Sequence, residues 1–495
     1  MLPRPFRAAL MAPLLLCLTL TATGAQEMRA KDAWDALREV ALGAGLTLSA
    51  AGIDQDGAAL LVRDVHLHDA DNPFAAQARL PVLRIEPRGG EGVALSLPEG
   101  ATLASGDLAS EQRAFALEAD GAVLMGIDAQ ALRLAPQLAA LRVTMTEASR
   151  HDRPLSERFS MEIEGLMGQV EITGEPSINA EGQLRAAMLG YSFFQHERVF
   201  FDMLRDEEMS MTAPALAFSL RELQLIDGEP GFLTRAFAGG AAMRIAFEAD
   251  ASASRSRQRM GDVDFWIAGS GGRSDGLLEV EGGIVRLSGE NHDAEFSGAS
   301  GEFSGTARIA HSSSSLQLPL IPTPDNRPFG LRITLSGVEA SAETWEMLGA
   351  GSMASDSADL VLELNGHGRW LYDITEAPAL AGEPFELERL TLDELALRFG
   401  DTRLEGSGQF ELEPGSLMSP EPFEQGSGDF TFDLDGGEAL LTRLAGEGLI
   451  PADQQFLARM MLSALGRSVG EDQLRSEIAI RPGGQILVNG LPLPF

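Results

Sequence analysis

Apolar and polar residues alternate with a period of two over most of this chain, the signature of strands with one apolar and one polar face. The stretch 387–414, LERLTLDELALRFGDTRLEGSGQFELEP, shows the pattern at its clearest. Leu404, Phe410 and Leu412 share one face, with Gly406 and Gly408 between them. Before the turn, Leu395, Leu397 and Phe399 take odd positions, whereas Leu390 and Leu392 take even ones. Asp393–Glu394 therefore marks a phase slip, which predicts a β-bulge that bends the sheet. Glycines inside a strand predict close approach of another backbone or of a ligand to that face. In GLLEVEGGIVRLSG (276–289), Gly282-Gly283 predicts a two-residue hairpin turn that sets Val280 against Val285 and Leu278 against Leu287. FGLRITLSGVEA, DLVLELNGHGRWLYD, GDFTFDLDGG and RSEIAIRPGGQILVNG repeat the alternation, as do ALLVRDVHLHDAD and LPVLRIEP nearer the N-terminus. Asn365–Gly368 (NGHG) reads as a hairpin turn ahead of a buried Trp370.

Helical spacing is rarer. Residues 28–43 carry Trp34, Leu37, Val40 and Ala41 on one face, and 341–348 begin at Ser341, a candidate N-cap. In 451–466, Pro451 suits a first turn. Phe456, Leu457, Met460, Met461 and Leu465 then form a stripe expected to face a core, and Gly466 can end the helix. The expected fold class is mostly β: an elongated, curved antiparallel sheet, folded over or sandwich-like, with a few short helices. At 495 residues the chain exceeds the roughly 250–300 at which one core stops growing. Two β-rich regions are expected, 26–250 and 251–495. The seams with the strongest composition shift are 252–259 (SASRSRQR) and the serine- and proline-rich 311–329.

The first residues change the picture. MLPRPFR is basic, AALMAPLLLCLTLTA is apolar and uncharged, and TGA supplies small residues before Gln26. This is the layout of a secretory signal peptide with cleavage after Ala25. The apolar run contains Pro13 and falls short of the ~20 residues that span a bilayer, so no transmembrane segment is expected after its removal and the expected location is periplasmic. The single cysteine, Cys17, lies in that leader, which excludes disulfides, thiolate chemistry and iron–sulfur clusters from the mature chain. The formal net charge is −35, which argues against nucleic acid and against docking on anionic headgroups. A strongly acidic surface also keeps a sheet-rich protein soluble.

Recognisable chemistry is sparse. The chain contains no H-E-x-x-H, Walker or G-x-G-x-x-G signature, and no catalytic residue or cofactor is assigned. His66 and His68 are the candidate metal ligands. They share a strand face, with Asp64 before them and Asp69 and Asp71 after, but no third ligand is evident. The terminal Phe495, with Leu493 and Leu491 before it, has the look of the last strand of an outer-membrane barrel. Pro492 and Pro494 and the shortage of aromatics (2 Tyr, 4 Trp) oppose that reading.

Four segments in order, GVEASAETWEML, DSADLVLELNGHGRWLYD, LALRFGDTRLEGSGQFEL and GEALLTRLAGEGLIPADQQFLARMMLSALGRSVGEDQLRSEI, resemble the C-terminal half of the domain-of-unknown-function family 2125. The resemblance implies a secreted protein of Gram-negative bacteria and carries over no catalytic residue. The strand repeats are also similar to those of AsmA-like proteins, which implies a groove-forming sheet concerned with lipid movement. The apolar face that bears Leu395, Leu397, Phe399, Leu404, Phe410 and Leu412 must be covered, because burying each Leu is worth ~1.5–3 kcal/mol. The leading expectation is a non-enzymatic protein that binds a lipid or other apolar ligand, or an envelope partner, along this face. The alternatives are a structural or interaction protein with a closed dry core, an outer-membrane β-barrel, or a hydrolase with an unrecognised site.

Overall fold

The computed structural model describes residues 29–492, apart from 44–45, 70–75, 90–91, 108–110, 128–130, 151–152, 175–176, 198–201, 224–231, 302, 348–350, 354–355, 372–384 and 413–425. The signal-peptide reading, with its cut after Ala25, lies outside these residues. The protein is mostly β, with antiparallel strand pairings and a few short helices. Among the described residues, no helix is long and apolar enough to cross a membrane.

The described residues fall into two compact units, 29–223 with 241–268, and 232–240 with 269–492. The seam expected at 252–259 is instead a strand, Ala251–Met260, paired along its length with Met203–Thr212. Its Ser/Arg-rich composition reads as a linker, but strand pairing uses the backbone and tolerates polar side chains on both faces.

The first unit closes its apolar face with a helix. Ala30–Gly43 is helical, and Ala30, Ala33, Trp34, Leu37 and Ala41 on one side of it are buried. This side lies on the strands Leu46–Asp56, Ala59–Asp69 and Ala76–Pro87. Trp34 packs in one cluster with Val62, Val65, Ile85, Val93, Met125 and Ile172. The long strand Ser156–Thr173 forks the sheet. Its C-terminal half pairs with Ile178–Arg185 and its N-terminal half with Met188–Glu197. Gly165, at the fork, has φ +63°, a conformation that glycine adopts without steric cost.

The second unit is a meander in which each strand pairs with its neighbour in sequence, from Ser274–Glu281 through Gly426–Asp435. Gln473–Arg481 then pairs back onto Gly426–Asp435 after two helices, Gly437–Gly446 and Ala452–Leu465. The sequence pattern predicts only the second of these helices. The hairpin at Gly282-Gly283 has the expected register, Val280 opposite Val285 and Leu278 opposite Leu287. The predicted bulge is also present: the register shifts between Leu392 and Leu395.

A second bulge sets Ser336 and Gly337 against the single residue Asp359, between the pairs Leu335–Leu360 and Val338–Ala358. The Gly337 amide has left the ladder and donates instead to Asp359 Oδ1 at 2.8 Å. Asp359 also accepts from Arg398 Nε at 2.7 Å. The Gly337 hydrogen bond, with the Arg398 pair behind it, holds the Asp359 carboxyl below the ordinary carboxylate range. A group with a depressed folded pKa stabilises the fold above its unfolded pKa, and that contribution is lost as pH falls through the folded value. Asp359→Asn is therefore expected to lower unfolding free energy by about 1 kcal/mol at neutral pH. The gap from wild type should close below about pH 4, the unfolded carboxyl range. Urea denaturation of both proteins from pH 7 to pH 3 measures it, and a gap independent of pH would refute the assignment.

Candidate functional site

The meander aligns its apolar positions into rows. Leu278, Leu287, Leu316, Leu331, Leu364, Leu392, Gly408, Phe430, Ile478 and Val488 stand directly opposite one another, one from each of ten neighbouring strands. At about 4.8 Å per strand the row runs roughly 40 Å. Beside it lies a second row, in which Ile333 faces Leu362, Leu362 faces Leu395, and Leu395 faces Gly406.

The six residues of the sequence-derived apolar face lie on one side of the paired strands. Leu395 faces Gly406, Leu397 faces Leu404, and Phe410 faces Leu390, all on the side that also carries Phe399 and Leu412. Their burial differs along the strands. Phe410 and Leu412 are buried with Ile480, and Phe430 packs against them. Further along this margin Trp370 stacks edge-on against Phe385 at 4.9 Å and donates through Nε1 to Pro319 O at 2.7 Å. The other margin is capped by helices. Trp345, on the helix Ala342–Met347, lies 5.9 Å from the Phe399 ring, and the Arg443 guanidinium lies over that ring at 5.9 Å while paired with Asp356. Ser341 Oγ accepts from the Thr344 amide at 3.2 Å, which makes it the N-cap of the Trp345 helix.

Between these margins the face stays half open. Leu316, Leu331, Ile333, Leu362, Leu364, Leu392 and Leu395 are each half-buried, Leu397 is 39% exposed and Leu287 is 43% exposed. The stripe expected to cover a core does not do so. On Ala452–Leu465, Phe456 is 71% exposed and Leu457, Met460 and Met461 are exposed as well. The helix attaches through its other side, where Arg459 Nε donates to Glu438 at 3.0 Å and its Nη2 to Thr442 at 3.0 Å. Ala458 and Leu462 on that side are partly buried.

Glycines on this face are covered by rings from the adjacent strand. A methyl group at Gly408 would lie 2.3 Å from Phe430 Cδ1, and one at Gly406 would lie 2.4 Å from Phe432 Cδ1. The relation is reciprocal: the Phe410 ring lies over Gly426 and Gly428, and Phe329 lies over Gly366. NGHG is therefore no turn. Gly366 and Gly368 sit within the strand Ala358–Trp370 beneath the rings of Phe329 and Phe385, and Trp370 is only half-buried. The approach that the glycines predict comes from these rings. The signal was present in the sequence, because GSGQF (406–410) and GSGDF (426–430) set Gly against Phe when paired antiparallel. This is the device known as aromatic rescue of strand glycines.

The polar face is a lattice of cross-strand pairs. Arg332 meets Glu363, Arg389 meets Glu411 at 2.9 Å, and Arg475 meets Asp433 at 2.8 Å. A cleft of about 630 Å³ lies over Arg332, Glu363, Asn365 and Asp393 on this face. Its charges already serve one another, with Asn365 Nδ2 donating to Asp393 at 2.7 Å, so the apolar face is the better candidate site.

His66 and His68 do lie on one face of their strand. Their cross-strand neighbours are Ser49 and Arg79, and Thr47 and Gln77, which bring no further metal ligand to them. The side chains of Asp69 and Asp71 are outside the described residues. Comparisons with protein-family models, with curated proteins and with solved structures each return no match.

Gly408→Ala is expected to cost about 1–3 kcal/mol, because the new methyl overpacks against the Phe430 ring and against the backbone of Asp429 and Phe430. Phe430→Leu in the same chain should recover part of that loss. A double-mutant cycle by chemical denaturation reads the coupling, and strict additivity would show that ring and glycine do not interact.

Proposed function

We propose that the second unit holds a linear apolar ligand, the acyl chain of a lipid, along the open middle of its apolar face. The observation that carries this reading is the contrast within one sheet face. Phe410 and Leu412 are buried at one end of the face, whereas Leu316, Leu331, Leu364 and Leu392 are only partly buried and Leu287 and Leu397 are exposed. Burying apolar surface is worth roughly 25 cal/mol per Å², so such a floor attracts an apolar occupant. Each CH₂ of an acyl chain laid on it contributes up to about 0.8 kcal/mol. The row exceeds the roughly 30 Å hydrocarbon thickness of a bilayer, so its length does not exclude a full acyl chain. The resemblance to AsmA-like repeats carries the same expectation.

The reading includes export and a periplasmic location, with the mature chain beginning at Gln26. N-terminal sequencing of the protein from its native envelope fraction tests this, and a retained leader would overturn it. For the ligand, organic extraction of natively purified protein followed by mass spectrometry is expected to yield lipid near stoichiometry. Leu331→Glu and Leu364→Glu should weaken binding of a fluorescent fatty acid at least tenfold, because each places a charge on the floor. Arg332→Gln on the opposite face should leave binding unchanged. Absence of both extracted lipid and saturable fatty-acid binding would refute the proposal and favour a face covered by an envelope protein partner.

A further inference from the structure

A second site lies on the polar face of the same unit. The strands Ile284–Ser300 and Phe303–Pro319 pair in a register that sets His292 directly opposite His311. Their rings lie 4.8 Å apart between centroids. Glu290, two residues before His292, projects from the same face of the strand. Its Oε1 lies 3.1 Å from His292 Nε2 and 3.5 Å from His311 Nδ1. One nitrogen of each imidazole and one carboxylate oxygen thus converge within 4.8 Å of one another.

We infer that Glu290, His292 and His311 form a binding site for a divalent transition-metal ion of the zinc class. Tetrahedral bonds of about 2.0–2.1 Å to nitrogen and oxygen place neighbouring ligand atoms about 3.3 Å apart, close to the two spacings measured here. Two imidazoles and one carboxylate suit zinc, copper or nickel, whereas magnesium and calcium prefer oxygen ligands throughout. The side chains are 42%, 44% and 32% exposed for Glu290, His292 and His311, so solvent can reach the site and supply a remaining ligand.

The backbone holds the first histidine on both sides. His292 N donates to Arg273 O at 3.0 Å, and His292 O accepts from the Gly272 amide at 2.9 Å, while its other edge is paired with His311. The next residue, Asp293, has φ +51° and directs its carboxylate to Arg308 at 3.1 Å, away from the cluster. The set of ligands is therefore Glu290, His292 and His311, and the site does not depend on the apolar face.

The test uses the full chain stripped with EDTA, with Zn²⁺ and Co²⁺ as probes in excess Mg²⁺. Calorimetry is expected to show one equivalent of Zn²⁺ bound, and Co²⁺ should develop visible d–d absorption. His292→Gln and His311→Gln should each weaken Zn²⁺ binding at least tenfold and abolish the Co²⁺ spectrum, and Glu290→Gln should weaken binding less. A His66→Gln/His68→Gln chain should bind as wild type. The inference fails if no stoichiometric binding survives Mg²⁺, if His292→Gln and His311→Gln bind unchanged, or if binding is lost instead with His66 and His68. Circular dichroism of each variant separates loss of ligand from loss of fold.

Discussion

Cross-strand register is the constraint on which the second unit depends. Each strand of the meander takes its position from the one before it, so a slip of a single residue would turn every later apolar side chain to the polar face. The row from Leu278 to Val488 exists only because the phase is kept across ten strands. Where the spacing of apolar residues breaks, the backbone absorbs the odd residue. The bulge at Asp393–Glu394 carries the pattern from even to odd positions, and the bulge at Ser336–Gly337 does the same opposite Asp359. At the second bulge a side chain from the partner strand satisfies the displaced group, with Asp359 taking the Gly337 amide.

The pairs on both faces enforce the same register. On the apolar face, Phe430 fills the space that Gly408 leaves, and Phe410 fills that of Gly426 and Gly428. A shift by two residues in one direction would set Phe410 against Phe430, and in the other Gly408 against Gly428. On the polar face, Arg332–Glu363, Arg389–Glu411 and Arg475–Asp433 stand at directly opposed positions. Exposed pairs of this kind contribute at most about 1 kcal/mol each, so they select the register more than they stabilise the sheet. The guanidinium fork matches a carboxylate with two donors, which accounts for arginine at these places.

The two units answer the demand of an apolar sheet face differently. In the first, Trp34 and its helix cover the sheet, and Val62, Val65 and Ile85 are fully buried beneath or beside it. In the second, Trp345 and the Arg443 guanidinium meet Phe399 at one end of the sheet face. Helix Ala452–Leu465 is anchored through Arg459 and turns Phe456, Met460 and Met461 outward. The open floor and the exposed stripe are thus two parts of the same unit in which apolar surface lacks the burial that the first unit achieves.

Features set by a few neighbouring residues were legible in the sequence. Alternation assigned the faces of Leu395, Leu397, Phe399, Leu404, Phe410 and Leu412. Gly282-Gly283 defined its hairpin, Ser341 its cap, and the phase change at Asp393–Glu394 its bulge. Each rests on period-two geometry or on turn and cap chemistry within one or two turns of chain. Features that depend on distant partners were not legible. NGHG reads as a turn until the rings of Phe329 and Phe385 are seen above its glycines, and the Phe456–Met461 stripe reads as core until Arg459 is seen to anchor the opposite side. His292 and His311 are 19 residues apart and meet because they are equidistant from the hairpin turn at Gly301, a symmetry hidden until the turn is located. The amino-acid sequence by itself determined which side of each strand is apolar, because side chains alternate whatever the surroundings. Only the tertiary structure decided which of those sides are covered, because cover comes from residues that local geometry does not position.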